Sequence, residues 1–134
     1  MADDPILHLS IPVDDLGTAR AFYETVLGCP IGRTRDDWID VWFFGCQLTL
    51  QERPDEARPP ERQGVAHFGA TFPDRADFDR VVERARAHGA RRLTEPSAEA
   101  AAALSGKVAG KLADPSGNVI ELKHYPDVAG LRAG

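Results

Sequence analysis

Cationic excess is the first thing this chain lacks: 16 lysines and arginines stand against 21 aspartates and glutamates in 134 residues, a net charge of -5. A nucleic-acid partner is therefore not expected, because phosphate binding needs a basic footprint. Also missing is any apolar run near the ~20 residues of a membrane-spanning helix. Met1-Ala-Asp-Asp-Pro5 has neither the basic start nor the apolar stretch of a secretion signal. The expectation is a cytoplasmic protein with no membrane partner. Cysteine is scarce, Cys29 and Cys46 alone, and in a reducing compartment both read as free thiols. What is present, 43% hydrophobic and 28% charged residues, suits a soluble globular protein and argues against disorder. A single domain of this length buries roughly two thirds of the surface its unfolded chain exposes.

The pattern of apolar residues divides that domain in two. Residues 6–13 predict a strand with Leu7, Leu9 and Ile11 on one face and His8 and Ser10 on the other. Asp14-Asp15 supplies caps for a helix in which Leu16, Ala19, Phe22, Tyr23, Val26 and Leu27 recur at helical spacing until Gly28. Strands follow near 31–35, 38–44 and 47–52, the last two joined by a turn at Gly45-Cys46. Residues 53–64, with Pro54, Pro59 and Pro60, lack apolar periodicity and read as a connector. The pattern then restarts. Residues 65–72 predict a strand carrying His67, Gly69 and Thr71 on one face, and Pro73-Asp74 caps a helix with Phe78, Val81, Val82 and Ala85 on its buried stripe, closed by Gly89. Strands near 91–94, 107–113 and 119–123 complete it, with a small-residue tract from Ala98 to Ala103 that reads as a short helical turn or a loop. The fold class is thus α+β: two βαβββ modules, about 5–52 and 65–125, and a short C-terminal tail.

Chemistry enters with Glu121. The turn Asp114-Pro115-Ser116-Gly117 has proline where its fixed φ helps and glycine at the fourth position. The strand after it is apolar at Ile120 and Leu122, while Val119, Glu121 and Lys123 share the other face. A pseudo-twofold arrangement of the modules would turn His8 and His67 into one concavity shared with Glu121, with Thr49 the counterpart of Glu121 in module one and Gln47 beside it. Two imidazoles and one carboxylate form the facial triad of non-haem Fe(II) sites and also suit Mn, Zn, Ni or Co. The bland alternative is a solvated Glu121–Lys123 ion pair, worth roughly 0 to 1 kcal/mol. Trp38, Trp42 and Phe44 are expected to line the concave face, where they could stack on an aromatic substrate or serve core or dimer packing. Nothing around Cys46 demands an activated thiol, and His88 reads as a solvated residue at a helix C-terminus.

His8-Leu-Ser-Ile-Pro-Val-Asp-Asp-Leu16, the helix with Ala21-Phe-Tyr23 and Val26-Leu-Gly28, and Asp114-Pro-Ser-Gly-Asn-Val-Ile-Glu121 together resemble the vicinal oxygen chelate superfamily over essentially the whole chain. That superfamily includes glyoxalase I, extradiol dioxygenases, fosfomycin-modifying enzymes and bleomycin-binding proteins. The resemblance implies a curved mixed sheet around a central metal cavity with helices outside, and metal ligands at His8, His67 and Glu121. Trp38-Ile-Asp-Val-Trp-Phe-Phe-Gly45 looks most like small extradiol-type dioxygenases, which commonly carry histidine where this chain has Cys46. Ring-cleaving members use a tyrosine on the strand preceding the glutamate strand. Residues 107–113 hold none, which leaves Lys111, His124 or Tyr125 as candidate acid–base groups. Gln47 could add a ligand through its carbonyl oxygen or, with Thr49, give the cavity polar lining. The function so implied is an Fe(II)-dependent dioxygenase acting on a small aromatic or vicinally oxygenated molecule. Its alternatives are a glyoxalase-like isomerase, lyase or transferase using a Lewis-acid metal, and a bleomycin-resistance-type binding protein without catalysis. A homodimer is expected, because open sheets need their edges covered and such relatives usually pair.

Overall fold

Alternating apolar residues, punctuated by glycine and proline, produce eight strands in the computed structural model, which describes residues 4–95 and 107–134. The tract from Ala98 to Ala103 lies outside the described residues. Module one runs β1 (His8–Val13), α1 (Leu16–Ala21), β2 (Ile31–Thr34), β3 (Trp38–Phe43) and β4 (Cys46–Glu52). Module two repeats it as β5 (Phe68–Phe72), α2 (Arg75–Ala87), β6 (Arg91–Thr94), β7 (Val108–Ala113) and β8 (Val119–His124). The tail adds a short helix, α3 (Val128–Ala133).

Each module builds its own sheet, ordered β1-β4-β3-β2 and β5-β8-β7-β6. The first strand of each pairs parallel with the last, and the remaining pairs are antiparallel. The arrangement is therefore two four-stranded mixed sheets, one per module, the α+β pair of βαβββ modules that the repeat predicts. No backbone ladder joins the described strands of the two modules, which meet instead through side chains and a turn.

The helices begin and end as their caps dictate. Asp15 accepts hydrogen bonds from the amides of Gly17 and Thr18, and Asp74 from that of Ala76. After Ala21 the first helix widens into a π turn over Phe22–Val26, where the Leu27 amide reaches the Phe22 carbonyl. Gly28 then takes φ +74, a left-handed conformation that ends the helix. Phe22 and Tyr23 are both buried in one continuous core with Phe43, Phe78, Ile120 and Leu122 from both modules. The Phe43 ring meets Phe68 edge-on at 5.2 Å, and Tyr23 lies 6.4 Å from Phe43.

A polar clasp completes the join. Tyr23, fully buried, donates its hydroxyl to Asp114 Oδ2 at 2.7 Å. Asp114 also accepts from the amides of Ser116 and Asn118 and from the Asn118 side chain. Ser116 Oγ donates to Asp14 Oδ1, and Asn118 Nδ2 to the Pro12 carbonyl, both in module one. Burial raises the Asp114 pKa despite these donors, and burial followed by the Asp114 charge pushes that of Tyr23 well up. Gly117, at φ +96, fits beneath the connector only without a side chain, since a Cβ there would lie 1.9 Å from the Arg58 carbonyl oxygen. The turn that marked Glu121 in the sequence thus serves first to fasten module two to module one.

Candidate functional site

Each sheet has an apolar face buried in the core and an open face carrying polar side chains. On module two, the pairing Gly69↔Glu121↔Lys111 runs across the centre of that face. Gly69 lets the strands approach: a Cβ there would come within 1.7 Å of the Glu121 carbonyl oxygen. His67, just ahead of β5, places Nε2 3.8 Å from Glu121 Oε1, and Lys123 Nζ stands at the same distance from that oxygen. The Glu121 side chain is 19% exposed and that of His67 34%. Nδ1 of His67 donates to the Val65 carbonyl at 2.7 Å, which leaves the Nε2 lone pair directed away from its own backbone.

On module one the equivalent line is Ser10↔Thr49↔Asp40. Thr49 therefore occupies the Glu121 position, as the repeat predicts. Its neighbour Asp40 is the centre of the face, 2% exposed. Thr49 donates to Asp40 Oδ1 at 2.8 Å, Arg33 Nε to Oδ2 at 2.7 Å, and the Gln47 amide to Oδ2 at 3.4 Å. Burial alone would raise the Asp40 pKa; the Thr49, Arg33 and Gln47 donors outweigh it and hold the carboxyl below its ordinary value. Neither Asp40 nor Arg33 was expected as a site residue. The signal was present, an acid alone in an apolar strand, the same signal that singled out Glu121.

The two histidines occupy matching places but are not brought together within the chain. His8 Nδ1 donates to the Gln47 carbonyl at 3.1 Å, leaving Nε2 free as in His67. His67, however, borders a cleft walled by Leu9 and Ile11, the opposite side of β1 from His8. Among the described residues no group of three or more His, Cys, Asp or Glu stands close enough to hold a metal ion. His67 and Glu121 fit such an ion as a pair. Their 3.8 Å separation is near the roughly 3.0–3.5 Å expected between two donors each about 2.1 Å from one metal.

The other expected residues divide. Lys111 faces Glu121 across β7–β8, and Tyr125 follows β8 with its ring 5.6 Å from Lys107 Nζ. His124 lies off that face, buried on the core side with Ile120 and Leu122, its Nδ1 donating to the Phe72 carbonyl. Trp38 and Trp42 share the open face of β3 with Asp40. Phe44 does not. The β3–β4 turn is Phe44-Gly45, both at positive φ (48 and 89), one residue earlier than expected, and the Phe44 ring packs against Phe43 and Phe72. Cys46 is partly buried, which raises its thiol pKa, and Cys29 is pushed up to about 12 by burial, so neither is an activated nucleophile. A separate cleft of about 590 Å³ lies between Phe22, Pro59, His88 and the Asp114 turn. Its acid, Asp114, is fully committed to the clasp.

No helix among the described residues is long and apolar enough to cross a membrane. Comparison with curated protein sequences returned no match. Among solved structures, a glyoxalase/bleomycin resistance protein/dioxygenase from Alicyclobacillus acidocaldarius is 32% identical with a TM-score of 0.79, over 94% of this chain and 95% of that one. The fosfomycin resistance protein FosX from Listeria monocytogenes shares the fold at 15% identity and a TM-score of 0.69, over 92% and 95% of the two chains. A lactoylglutathione lyase from Agrobacterium tumefaciens does so at 19% and 0.65, over 92% and 96%. Residues 5–122 match the family described as the Glyoxalase/Bleomycin resistance protein/Dioxygenase superfamily. With the paired modules and the 32% identical structure pointing the same way, the chain belongs to that superfamily.

Proposed function

We propose that the protein is a divalent-metal-dependent enzyme of the cytoplasm acting on a small, vicinally oxygenated molecule, and that His67 and Glu121 hold the metal together with the partner subunit's His8. The approach of His67 Nε2 to Glu121 Oε1 carries this reading. Supporting it, both histidines commit Nδ1 to a carbonyl and so present Nε2 as the ligand. The apolar residues flanking them, Leu7 (73% exposed) and Val65 (90% exposed), are surface of the kind a second copy would cover.

The metal, when bound, supplies Lewis-acid activation of substrate oxygens or, as Fe(II), oxygen chemistry. Mn, Zn, Ni and Co suit the same donors. Around it, Lys111 and Tyr125 are the acid–base candidates remaining on the Glu121 face, and Trp38 and Trp42 would exclude water from the module-one side. An Fe(II) extradiol-type dioxygenation is the first reaction to test, by oxygen uptake with catechol-like substrates. Turnover supported by redox-inert metals without oxygen would assign the isomerase, lyase or transferase class instead.

The shared site has a sharp test. His8→Ala and His67→Ala homodimers should each lose the bound metal. Mixing the two in equal amounts should restore about a quarter of the wild-type metal content, because about half of the dimers are then mixed and one of the two sites in each of those is intact. No restoration, or a monomer in sedimentation, overturns the shared site. The Lys123 contact to Glu121 favours a second reading, a metal-free binding protein with tryptophan walls. Protein devoid of metal after loading with each of these ions would establish it.

A further inference from the structure

The chain is net -5, yet its two open faces carry Arg33, Arg35, Lys111 and Lys123 against Asp40 and Glu121. The clearest concentration is at Trp38, where the guanidinium carbons of Arg33 and Arg35 lie 5.1 and 5.5 Å from the ring centroid. Arg33 is fixed from behind. Its Nε is held 2.7 Å from the buried Asp40 carboxylate, which Thr49 and Gln47 also grip, while its side chain remains 61% exposed. On the other side of Asp40, Trp42 folds over Gly32, where an added Cβ would lie 2.9 Å from the indole Nε1. The result is a guanidinium fixed at Nε, with Trp38 against it and Trp42 on the same face of β3. Arg35 has no carboxylate within ion-pair distance among the described residues, while the nearby Asp37 is paired with Arg53.

We infer that Arg33, positioned by Asp40 and walled by Trp38 and Trp42, is the subsite for an aromatic carboxylate, the anionic group of the substrate. This deepens the function proposed above and rests on module one forming part of that cavity. A carboxylate matches the two parallel N–H donors of the guanidinium edge, and an attached ring matches the indole walls. Arg35, its Nη1 donating to the Thr34 carbonyl, brings a second guanidinium to the Trp38 ring. The anion subsite lies on the sheet of module one, whereas His67 and Glu121 belong to module two, so Arg33 can be changed without touching either of those two ligands.

Calorimetric titration of metal-free protein with benzoate and with its neutral isostere benzamide tests this. Wild type should bind benzoate at least about tenfold more tightly than benzamide, with the preference weakening as salt rises. Arg33→Met, which keeps the side chain's length but takes one donor from Asp40, should abolish the preference, and Arg33→Lys should keep only part of it. His67→Ala should leave it intact. Equal affinity for the two probes, absence of binding by either, or a preference that survives Arg33→Met overturns the inference. An Arg33-dependent preference in protein that takes up no metal would preserve the anion subsite while overturning the metal site.

Discussion

The middle of each open face holds a different chemistry on the same frame. In module one, Asp40 is buried beneath Arg33, Thr49 and Gln47, with both carboxylate oxygens accepting hydrogen bonds and indoles on either side. In module two the same place across the ladder is taken by Lys111, and the acid has moved one strand over, to Glu121, where His67 and Lys123 are the charged or titratable groups within ion-pair distance among the described residues. A saturated carboxylate positions its neighbours. An undersaturated one beside an imidazole is available to a cation. Under the function proposed above, the duplication gives one half whose central acid is structural and one whose acid is a ligand, and neither half makes a metal site alone.

The sharpest way to break that contrast is to make module two resemble module one at its narrowest point. Gly69→Ser copies Ser10, but any Cβ there meets the Glu121 carbonyl. The β5–β8 pairing must shift, and denaturant unfolding should show a loss of about 2–4 kcal/mol. Next in size is Thr49→Val, which leaves Asp40 Oδ1 without its donor in a buried position; about 2 kcal/mol of stability should go. Tyr23→Phe removes one of two donors to Asp114 Oδ2, so the two modules should separate more easily, by about 1 kcal/mol. The smallest effect is in acid. The folded Asp40 has a lowered pKa, so its stabilisation is full above the unfolded value of about 4 and fades as pH falls through the folded one. Wild type should thus lose an increment on acidification that Asp40→Asn does not.

Much of this was legible in sequence because it rests on periodicity. The repeat, the caps at Asp15 and Asp74, and the equivalence of Thr49 with Glu121 follow from alternation and turn chemistry. What escaped depended on register and on the third dimension. A one-residue shift put Phe44 in the turn and off the face. His124 continues the apolar parity of Ile120 and Leu122, a clue outweighed by the expectation of an acid–base group near Glu121. Asp40 was visible as an acid among apolar neighbours, but the donors that saturate it come from β2 and β4, which no local pattern connects. That His8 and His67 stand on opposite sides of β1 is a property of how the modules dock, and the alternation within each strand is silent on it.

The Asp114 clasp has a consequence for how β8 comes apart. The Asn118 amide is bonded to Asp114, and its side chain reaches across to Pro12, so the strand is riveted at its N-terminal end. Its far end is tied more loosely, the Tyr125 amide reaching the Phe72 carbonyl at only 3.4 Å. Unzipping should travel from His124 backward. Amide hydrogens at Ser116 and Asn118 would be among the last of module two to exchange with solvent, and Glu121 lies between the rivet and the fraying end. A breathing β8 would carry Glu121 away from His67 while the two modules stay joined, which makes ligand geometry a property separable from global unfolding.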